Sequence, residues 1–566
     1  MTRKLFTISL LALILAAPAS AALIPDWGQA YGDEGTLDRE AQAITAVDTD
    51  TLGNIYIAGN FTGQIDFGGP TLVSTTTNAD DIFVAKFDAS GNHIWSIAGG
   101  GDGFESISDI YAIPGGGVAV CGRTNSSIFT ISGESDTTQG NYDALLMVFS
   151  VNGSHSFTRL FGGSQFDEAN GVVWDPSALS VYVFGKFRTT VDFGVGAPRT
   201  SNGGWDLFLA DVKVWGTPAA VWTGGGANED FAGGLALDDA GDLGFAASFI
   251  GSTDLGNGTL TSTGTGAALV GKFTSVGTAP VWTQVLQSTG STTTLSAEAI
   301  TTDGASFYVT GVFNGSANFG LGNHTSNGDY DLWTGCYKSG GTPVWSRTGG
   351  SVDPDQPGGI DYHDGQVVIT GSCEEAPTFD GVTLYHNNRF DALMVVYDET
   401  GDLEHARRGG GTWNDYGYDA VMTDDGPCFV GSFGENASWS GLVLNALDVE
   451  PDGFIVKYLE DVNVAVEGAE TVAPSALSLG APTPNPTRGG TALSYTVSGL
   501  RGIKSATVYD IRGRRVRALS TGSNAWNGRL AWDSRDDSGA RVAPGVYFVR
   551  ATDGASTTQR RVTVVR

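Results

Sequence analysis

Residues 52–100 read LGNIYIAGNFTGQIDFGGPTLVSTTTNADDIFVAKFDASGNHIWSIAGG, and the pattern recurs down most of the chain. Its clearest marker is a small residue two positions before an aromatic, at the end of an apolar run. It stands as Gly59-Asn-Phe61, Gly185-Lys-Phe187, Ala247-Ser-Phe249, Gly311-Val-Phe313 and Gly431-Ser-Phe433. Gly122-Arg-Thr124 and Gly371-Ser-Cys373 fill the same slot without the aromatic, so seven copies follow one another at intervals of 60 to 64 residues. A fixed period of this length marks a repeat architecture. In the first copy the pattern predicts strands over 43–47, 54–59, 82–87 and 93–98, separated by Asp/Asn/Ser/Gly turn chemistry at Asp48–Gly53 and Asp88–Asn92. The second and third strands are nearly unbroken apolar runs (IYIA, IFVAKF, VYVF, ALLMVF), which predicts burial on both faces.

Four antiparallel strands in about 60 residues, repeated seven times and buried on both faces, predict a seven-bladed β-propeller. The first strand of each blade, crowded near the axis, should favour small residues, and Ala43, Gly171, Gly233, Gly234, Gly358 and Gly359 fit. A fourth strand headed by tryptophan recurs at Trp95, Trp222, Trp282 and Trp345, with Phe157 and His405 in equivalent places. One such segment, Asp26-Trp27-Gly-Gln, precedes any complete copy, while the last copy ends at its third strand, residues 453–458. The early segment is therefore expected to complete the seventh blade and remove two open edges. Gly59-Asn-Phe61, Asp66-Phe-Gly68, Asp81-Ile-Phe-Val-Ala-Lys86, Asp88, Gly91 and Trp95 resemble a bacterial β-propeller repeat of secreted proteins. That resemblance covers roughly residues 25–460 and implies a fold and an exported life, and no activity.

Residues 1–21 predict a signal peptide: Arg3 and Lys4, a mostly apolar run over 5–16, and the small Ala19-Ser20-Ala21. The apolar run falls short of the ~20 residues a membrane span needs, so no transmembrane segment is expected and the protein should be secreted or held at the outer cell surface. Charge divides the chain. Residues 22–479 carry 15 Lys/Arg against 57 Asp/Glu, while 480–566 carry 14 against 5. The acidic part is thus unsuited to nucleic acid or anionic lipid. Cys121, Cys336, Cys373 and Cys428 show no metal or disulfide spacing and read as small buried hydrophobes; Cys336 with Cys373 is the pair to test if any disulfide forms.

Residues 461–484 lose the repeat and read as a linker. Beyond them, strands are expected over 492–497, 505–510, 515–519, 529–532, 546–551 and 559–565, an alternating pattern that predicts a small β-sandwich over 485–566. Pro484-Asn485-Pro486, Val508–Arg514, Trp532-Asp533, Gly545–Arg550 and Arg561–Arg566 resemble the FlgD-type (flagellar hook-capping) immunoglobulin-like domains and the type A sorting domains of type IX secretion. The resemblance implies an export or attachment signal with secretion machinery as partner.

Three acidic series run through the repeats. An aspartate opens the third strand in six copies (Asp81, Asp143, Asp206, Asp331, Asp391, Asp452), and such repetition points to capping of backbone N–H groups rather than catalysis. A second series precedes the first strands: Asp33 and Glu34, Asp102 and Glu105, Asp167 and Glu168, Glu229 and Asp230, Asp353 and Asp355, Asp415. A third, Asp66, Asp192 and Asp254, lies between second and third strands. Up-and-down blades should place the second and third series on one face. Asp66, Asp192, Asp254, Asp167, Glu168, Glu229 and Asp230 are accordingly the candidate ligand-facing acids, and solubility of an exported protein is the competing explanation.

No catalytic residue and no metal site is identified. Asp48–Gly53 and Asp238–Asp242 come near calcium loops without their spacing or closing glutamate, so no cofactor is expected and calcium alone stays open. The six histidines lack ligand spacing, and Gly266–Lys272 lacks the Ser/Thr and following helix of a phosphate loop. The expected function is a non-enzymatic binding or structural module with an extracellular glycan or protein as ligand. The alternative is a polysaccharide hydrolase or lyase with carboxylates at the propeller mouth, which needs a carboxylate pair at fixed separation. A passive spacer is the third reading.

Overall fold

The computed structural model describes residues 22–32, 42–76, 78–290, 294–384, 389–446, 450–461, 477–480, 482, 484–497, 505–512, 514–519, 527–552 and 557–565. The segment expected to be a signal peptide, Asp33, Glu34, His386 and most of the expected linker lie outside them. The described regular structure is entirely strand, and no helix among the described residues is long and apolar enough to cross a membrane. The chain divides into two compact units, one spanning Pro25–Leu459 and the other built on Glu460–Arg566.

The larger unit is a succession of antiparallel sheets with a common four-stranded core. In the first, Gln42–Thr49, Ile55–Phe61, Asp81–Phe87 and His93–Gly100 lie side by side in chain order. The same order holds in the next five sheets. A seventh joins Tyr416–Thr423, Gly426–Phe433 and Asp452–Asp461, with Ala22–Tyr31 as its fourth member. Second and third strands are buried on both faces: every residue of Asp81–Phe87, Asp143–Phe149 and Ala267–Phe273 is buried, whereas His93–Gly100 is largely half-exposed. First strands pack on first strands. Gln42–Thr49 neighbours Glu105–Ile113 on one side and Tyr416–Thr423 on the other.

Two local devices explain the repeat's glycines. The first strand bulges soon after it begins, the register slipping at Ile44/Ala46, Ile107/Asp109, Ala169/Gly171 and Gly417/Asp419. The bulge turns a carbonyl toward the second strand, and a Cβ at Gly59, Gly122, Gly185 or Gly431 would run into the oxygen of Ala43, Ser106, Glu168 or Tyr416. The Gly-Gly ending the fourth strand has a different cause. A Cβ at Gly100, Gly162, Gly225 or Gly410 would collide with the carboxylate of Asp81, Asp143, Asp206 or Asp391.

Sequence reading missed the short hairpins between second and third strands. Ile128–Ile131 with Glu134–Thr137 extends the previous sheet, pairing Thr130 with Gly100. Ser316–Asn318, Thr378–Phe379 and Asn436–Trp439 likewise pair with the fourth strand of the preceding sheet.

The smaller unit holds a three-stranded sheet of Leu477–Leu479, Thr491–Val497 and Asn527–Trp532, and a four-stranded sheet of Arg515–Leu519, Ser505–Asp510, Gly545–Thr552 and Thr557–Val564. Leu479, Leu493, Leu530 and Trp532 from the first share a core with Val508, Val549 and Val562 from the second. Leu477–Leu479 falls inside the segment read as linker; its alternating leucines were hidden in Ala/Pro/Ser-rich surroundings. All four cysteines are free and buried, as the reading of small buried hydrophobes expected, and Cys336 and Cys373 form no disulfide. Both thiols pack as apolar side chains in one core, Cys373 facing the carbonyl of Asp391.

Candidate functional site

The aspartates that open third strands are structural caps. The backbone N–H groups of Thr75, Gln139, Asn202 and Asn327 donate to Asp81, Asp143, Asp206 and Asp331 at 2.7, 2.9, 3.0 and 2.9 Å. Two members of the candidate ligand set do similar work. Asp167 accepts from Gly163 and Arg188 N–H, both at 2.8 Å, and Asp230 from Gly226 N–H at 2.8 Å, both carboxylates being buried. Asp66, Asp192 and Asp254 cap turns in their own hairpins, accepting from Gly68, Gly194 and Gly256 at 2.7, 2.9 and 2.8 Å. Those hairpins fold back beside the start of the fourth strand, where a Cβ at Gly69 would meet His93 and one at Gly194 would meet Pro218. The single acidic face therefore divides into separate locations.

Glu168 and Glu229 belong to something else. Glu168 holds two cations, Arg123 Nη1 at 3.0 Å and Lys186 Nζ at 2.8 Å, and Glu229 holds Arg188 at 3.5 Å while accepting Trp205 N–H at 2.7 Å. The cations lie along a ladder of rings: Tyr142 to Phe166 4.7 Å, Phe166 to Trp205 5.7 Å, Trp205 to Phe231 5.8 Å between centroids. Arg123 covers Tyr142 and Phe166, and Lys186 and Arg188 cover Trp205, at 5.0 to 5.5 Å. Arg123 and Lys186 are the middle residues of the marker motif in the second and third copies. In other copies that position bonds the next sheet, as Ser248 accepts from Ala297 N–H at 2.9 Å and Ser372 from Gly417 N–H at 3.2 Å. Two cations in neighbouring copies of one slot were thus visible in the sequence, and only the sheet-to-sheet packing shows that they converge.

Beside this cluster is a cavity of about 430 Å³ lined by Glu168, Lys186, Asn170, Phe231, Ser248 and Glu298, among others. It shares Ser108, Asn170 and Glu298 with a second cavity, also about 430 Å³, lined by residues of all seven first strands. Glu298 is open to this space, accepts Ser296 Oγ at 2.7 Å, and is pushed up from the ordinary glutamate range by the protein walls around it. Four aspartates ring the central cavity: Asp48, Asp109, Asp361 and Asp419. Each accepts an N–H from the neighbouring first strand, Ala112, Val172, Met422 and Val47 at 2.7 to 2.9 Å. Burial raises Asp48 to about 8, with the charges of Asp361 and Asp109 adding to it. Sequence reading placed Asp48 in a turn and passed over the other three, because their partners lie some 60 residues away or, for Asp419, at the far end of the repeats.

The near-calcium loops are locked internally. Asp50 receives Leu52 and Asn54 N–H at 3.0 Å and Lys86 at 3.3 Å; Asp238 receives Ala240 and Asp242 N–H at 2.9 Å and Lys272 at 3.4 Å. A lysine ammonium occupies the place a cation would take. Among the described residues no group of three or more His, Cys, Asp or Glu is arranged to hold a metal ion.

No family model matches the chain. The regulatory protein FlaEY of Caulobacter vibrioides is 23% identical over 199 residues, a match covering 34% of this chain and only 20% of FlaEY. Among solved structures, a protein of unknown function from Dyadobacter fermentans aligns over 77% of this chain and 99% of its own, at 11% identity and a TM-score of 0.37. PorZ, a surface component of the type IX secretion system of Porphyromonas gingivalis, aligns over 93% of this chain and 99% of its own, at 11% identity and a TM-score of 0.17. The extracellular domain of the hybrid two-component system BT4673 of Bacteroides thetaiotaomicron aligns over 95% and 100%, at 10% identity and a TM-score of 0.19.

Proposed function

We propose that the chain is an exported seven-bladed β-propeller that binds a hydroxyl-rich glycan at the mouth of its axial cavity, followed by an immunoglobulin-like module for secretion or attachment. The propeller reading rests on seven sheets with one core order and on first strands that neighbour one another from Gln42–Thr49 round to Tyr416–Thr423. The signal-peptide pattern of residues 1–21 and the motifs of 485–566 support export.

The observation that carries the binding site is the cluster of Arg123, Glu168 and Lys186 with Trp205 and Phe231, set where the first strands converge. Repeated features hold a ring together; a feature confined to neighbouring copies at one mouth is free to serve a ligand. Dense donors and acceptors over an aromatic floor suit sugar hydroxyls, and each cavity is large enough for one or two sugar rings. Polysaccharide cleavage is the second reading. It draws on Glu168, ion-paired, and Glu298, raised by the protein walls around it, lining one cavity in contrasting surroundings.

A glycan array followed by calorimetry on the best neutral oligosaccharide tests both. Lys186→Met and Glu298→Gln should each weaken binding by about tenfold or more. Binding equal to the parent in both variants removes the site; sugar release abolished by Glu298→Gln converts the binder into an enzyme.

A further inference from the structure

Five times, the aspartate opening a third strand is followed 24 residues later by an acid at the start of the next sheet's first strand: Asp81 and Glu105, Asp143 and Asp167, Asp206 and Asp230, Asp331 and Asp355, Asp391 and Asp415. Where the first member is missing, at Ala267, no acid stands anywhere in 291–297. Where Asp452 is the first member, Gln42 takes the second place. Five joints thus carry two acids, one carries none in these places, and one sets an acid against an amide. One backbone bond builds each of these five joints: the second acid's N–H donates to the residue before the first, as Glu105 to Asp80, Asp167 to Tyr142, Asp230 to Trp205, Asp355 to Tyr330 and Asp415 to Phe390, at 2.7 to 2.9 Å. Gln42 makes the same bond to Pro451.

All ten carboxyl groups are at most 3% exposed. At the fourth and fifth joints both members close on one glycine: the Cβ position of Gly350 lies within 2.8 Å of oxygens from Asp331 and Asp355, and that of Gly410 within 2.9 Å of oxygens from Asp391 and Asp415. Backbone N–H groups reach Asp81, Asp143, Asp206, Asp230, Asp331 and Asp355 and both oxygens of Asp167 and Asp415, while Glu105 accepts the Thr124 and Ser126 hydroxyls. Glu105 Oε2, Asp143 Oδ1, Asp206 Oδ1, Asp331 Oδ1 and Asp355 Oδ1 have no hydrogen-bond partner. Two buried carboxylates this close cannot both stay charged without a counter-charge. The fifth joint has one, since Arg408 pairs with Asp391 and its charge offsets part of the burial that raises Asp415 to about 7. The corresponding residues at the other joints are Ala98, Leu160, Thr223 and Thr348. The further charges facing those joints are themselves acidic: Asp80 at the first, Glu229 at the third, Asp353 at the fourth, with the thiol of Cys373 near Asp355.

We propose that Asp81/Glu105, Asp143/Asp167, Asp206/Asp230 and Asp331/Asp355 each hold one proton shared between their two carboxyl groups, and that Arg408 replaces that proton at Asp391/Asp415. The joints between neighbouring sheets are therefore proton-binding sites, and ring stability is coupled to pH. Burial, reinforced by the first acid's charge, raises the second member at each of the four joints, Glu105 to about 7 and Asp355 to about 8. A carboxyl raised above its unfolded value of about 4 binds more protons folded than unfolded, so its stabilisation is complete at low pH and lost as pH climbs through the raised value. The axial aspartates act in the same direction, so the readout is the difference between variants.

The experiment records melting temperature of the full chain from about pH 5.5 to about pH 8.5. Asp331→Asn should flatten the fall seen in the parent, by making one joint permanently neutral. Arg408→Leu should steepen it, by leaving Asp391 and Asp415 to share a proton. Equal displacement at every pH in both variants overturns the proposal. So does a rise in melting temperature on adding calcium alone at about pH 8.5 that a chelator reverses and Asp331→Asn abolishes, since the joint would then hold a metal ion. Should Asp331→Asn not fold, Arg408→Leu decides. None of these outcomes depends on glycan binding.

Discussion

Gly122 shows how a residue can be legible as a marker while its reason stays hidden. Its recurrence was plain, but the group that excludes a side chain there is the carbonyl of Ser106, 16 residues upstream and turned inward by a bulge. Bulges carry no strong sequence signature. Gly122→Ala should therefore destabilise by about 2 kcal/mol, the cost of forcing a methyl into a packed ladder. Gly340 is the control: it lies in a turn with open space around its Cβ position, and Gly340→Ala should be within about 0.5 kcal/mol of the parent. Urea unfolding of the two variants checks both, and equal midpoints would refute the steric account. The candidate site was half legible at the same scale. Glu168 and Glu229 were singled out for charge alone, whereas Arg123 and Lys186 sat unnoticed inside the marker motif that identified the repeat.

At the scale of the element, the unbroken apolar runs announced second and third strands correctly because burial on both faces leaves no alternation to read. The hairpins between them escaped because two to four residues, with faces as polar as Glu134–Thr137, offer no periodicity. Yet four of them act as clasps, joining their own sheets to the preceding ones. Asn436–Trp439 is anchored by Trp439, fully buried, 4.6 Å from the ring of Phe454 and directly over Gly409. Removing that anchor opens a large cavity between the sixth and seventh sheets. Trp439→Ala should cost about 3–5 kcal/mol and Trp439→Phe clearly less. A thermal melt that left Trp439→Ala within a degree or two of the parent would show that the hairpin is decorative rather than a clasp.

For the whole molecule, closure is the claim on which the propeller reading turns. The sequence suggested it from bookkeeping of tryptophans, and Ala22–Tyr31 lies beside Asp452–Asp461. Trp27 stands over Gly91 in the first sheet's last turn, as Trp95 stands over Gly153 and Trp345 over Gly401 in later ones, so the segment makes toward its neighbour the contact that fourth strands make elsewhere. Tyr31 adds rings at 4.9 Å from Phe67 and 5.7 Å from Phe87. Deleting residues 22–31 would strip these contacts and leave Asp452–Asp461 with a row of unmet backbone groups, an edge that recruits other chains. The truncated protein should melt lower and self-associate with rising concentration in sedimentation velocity. A synthetic peptide of residues 22–31 should restore the monomer by adding the missing strand in trans. A truncated chain that stays monomeric and melts as the parent does would mean that the ring closes without this segment, and the seven-bladed reading would fall with it.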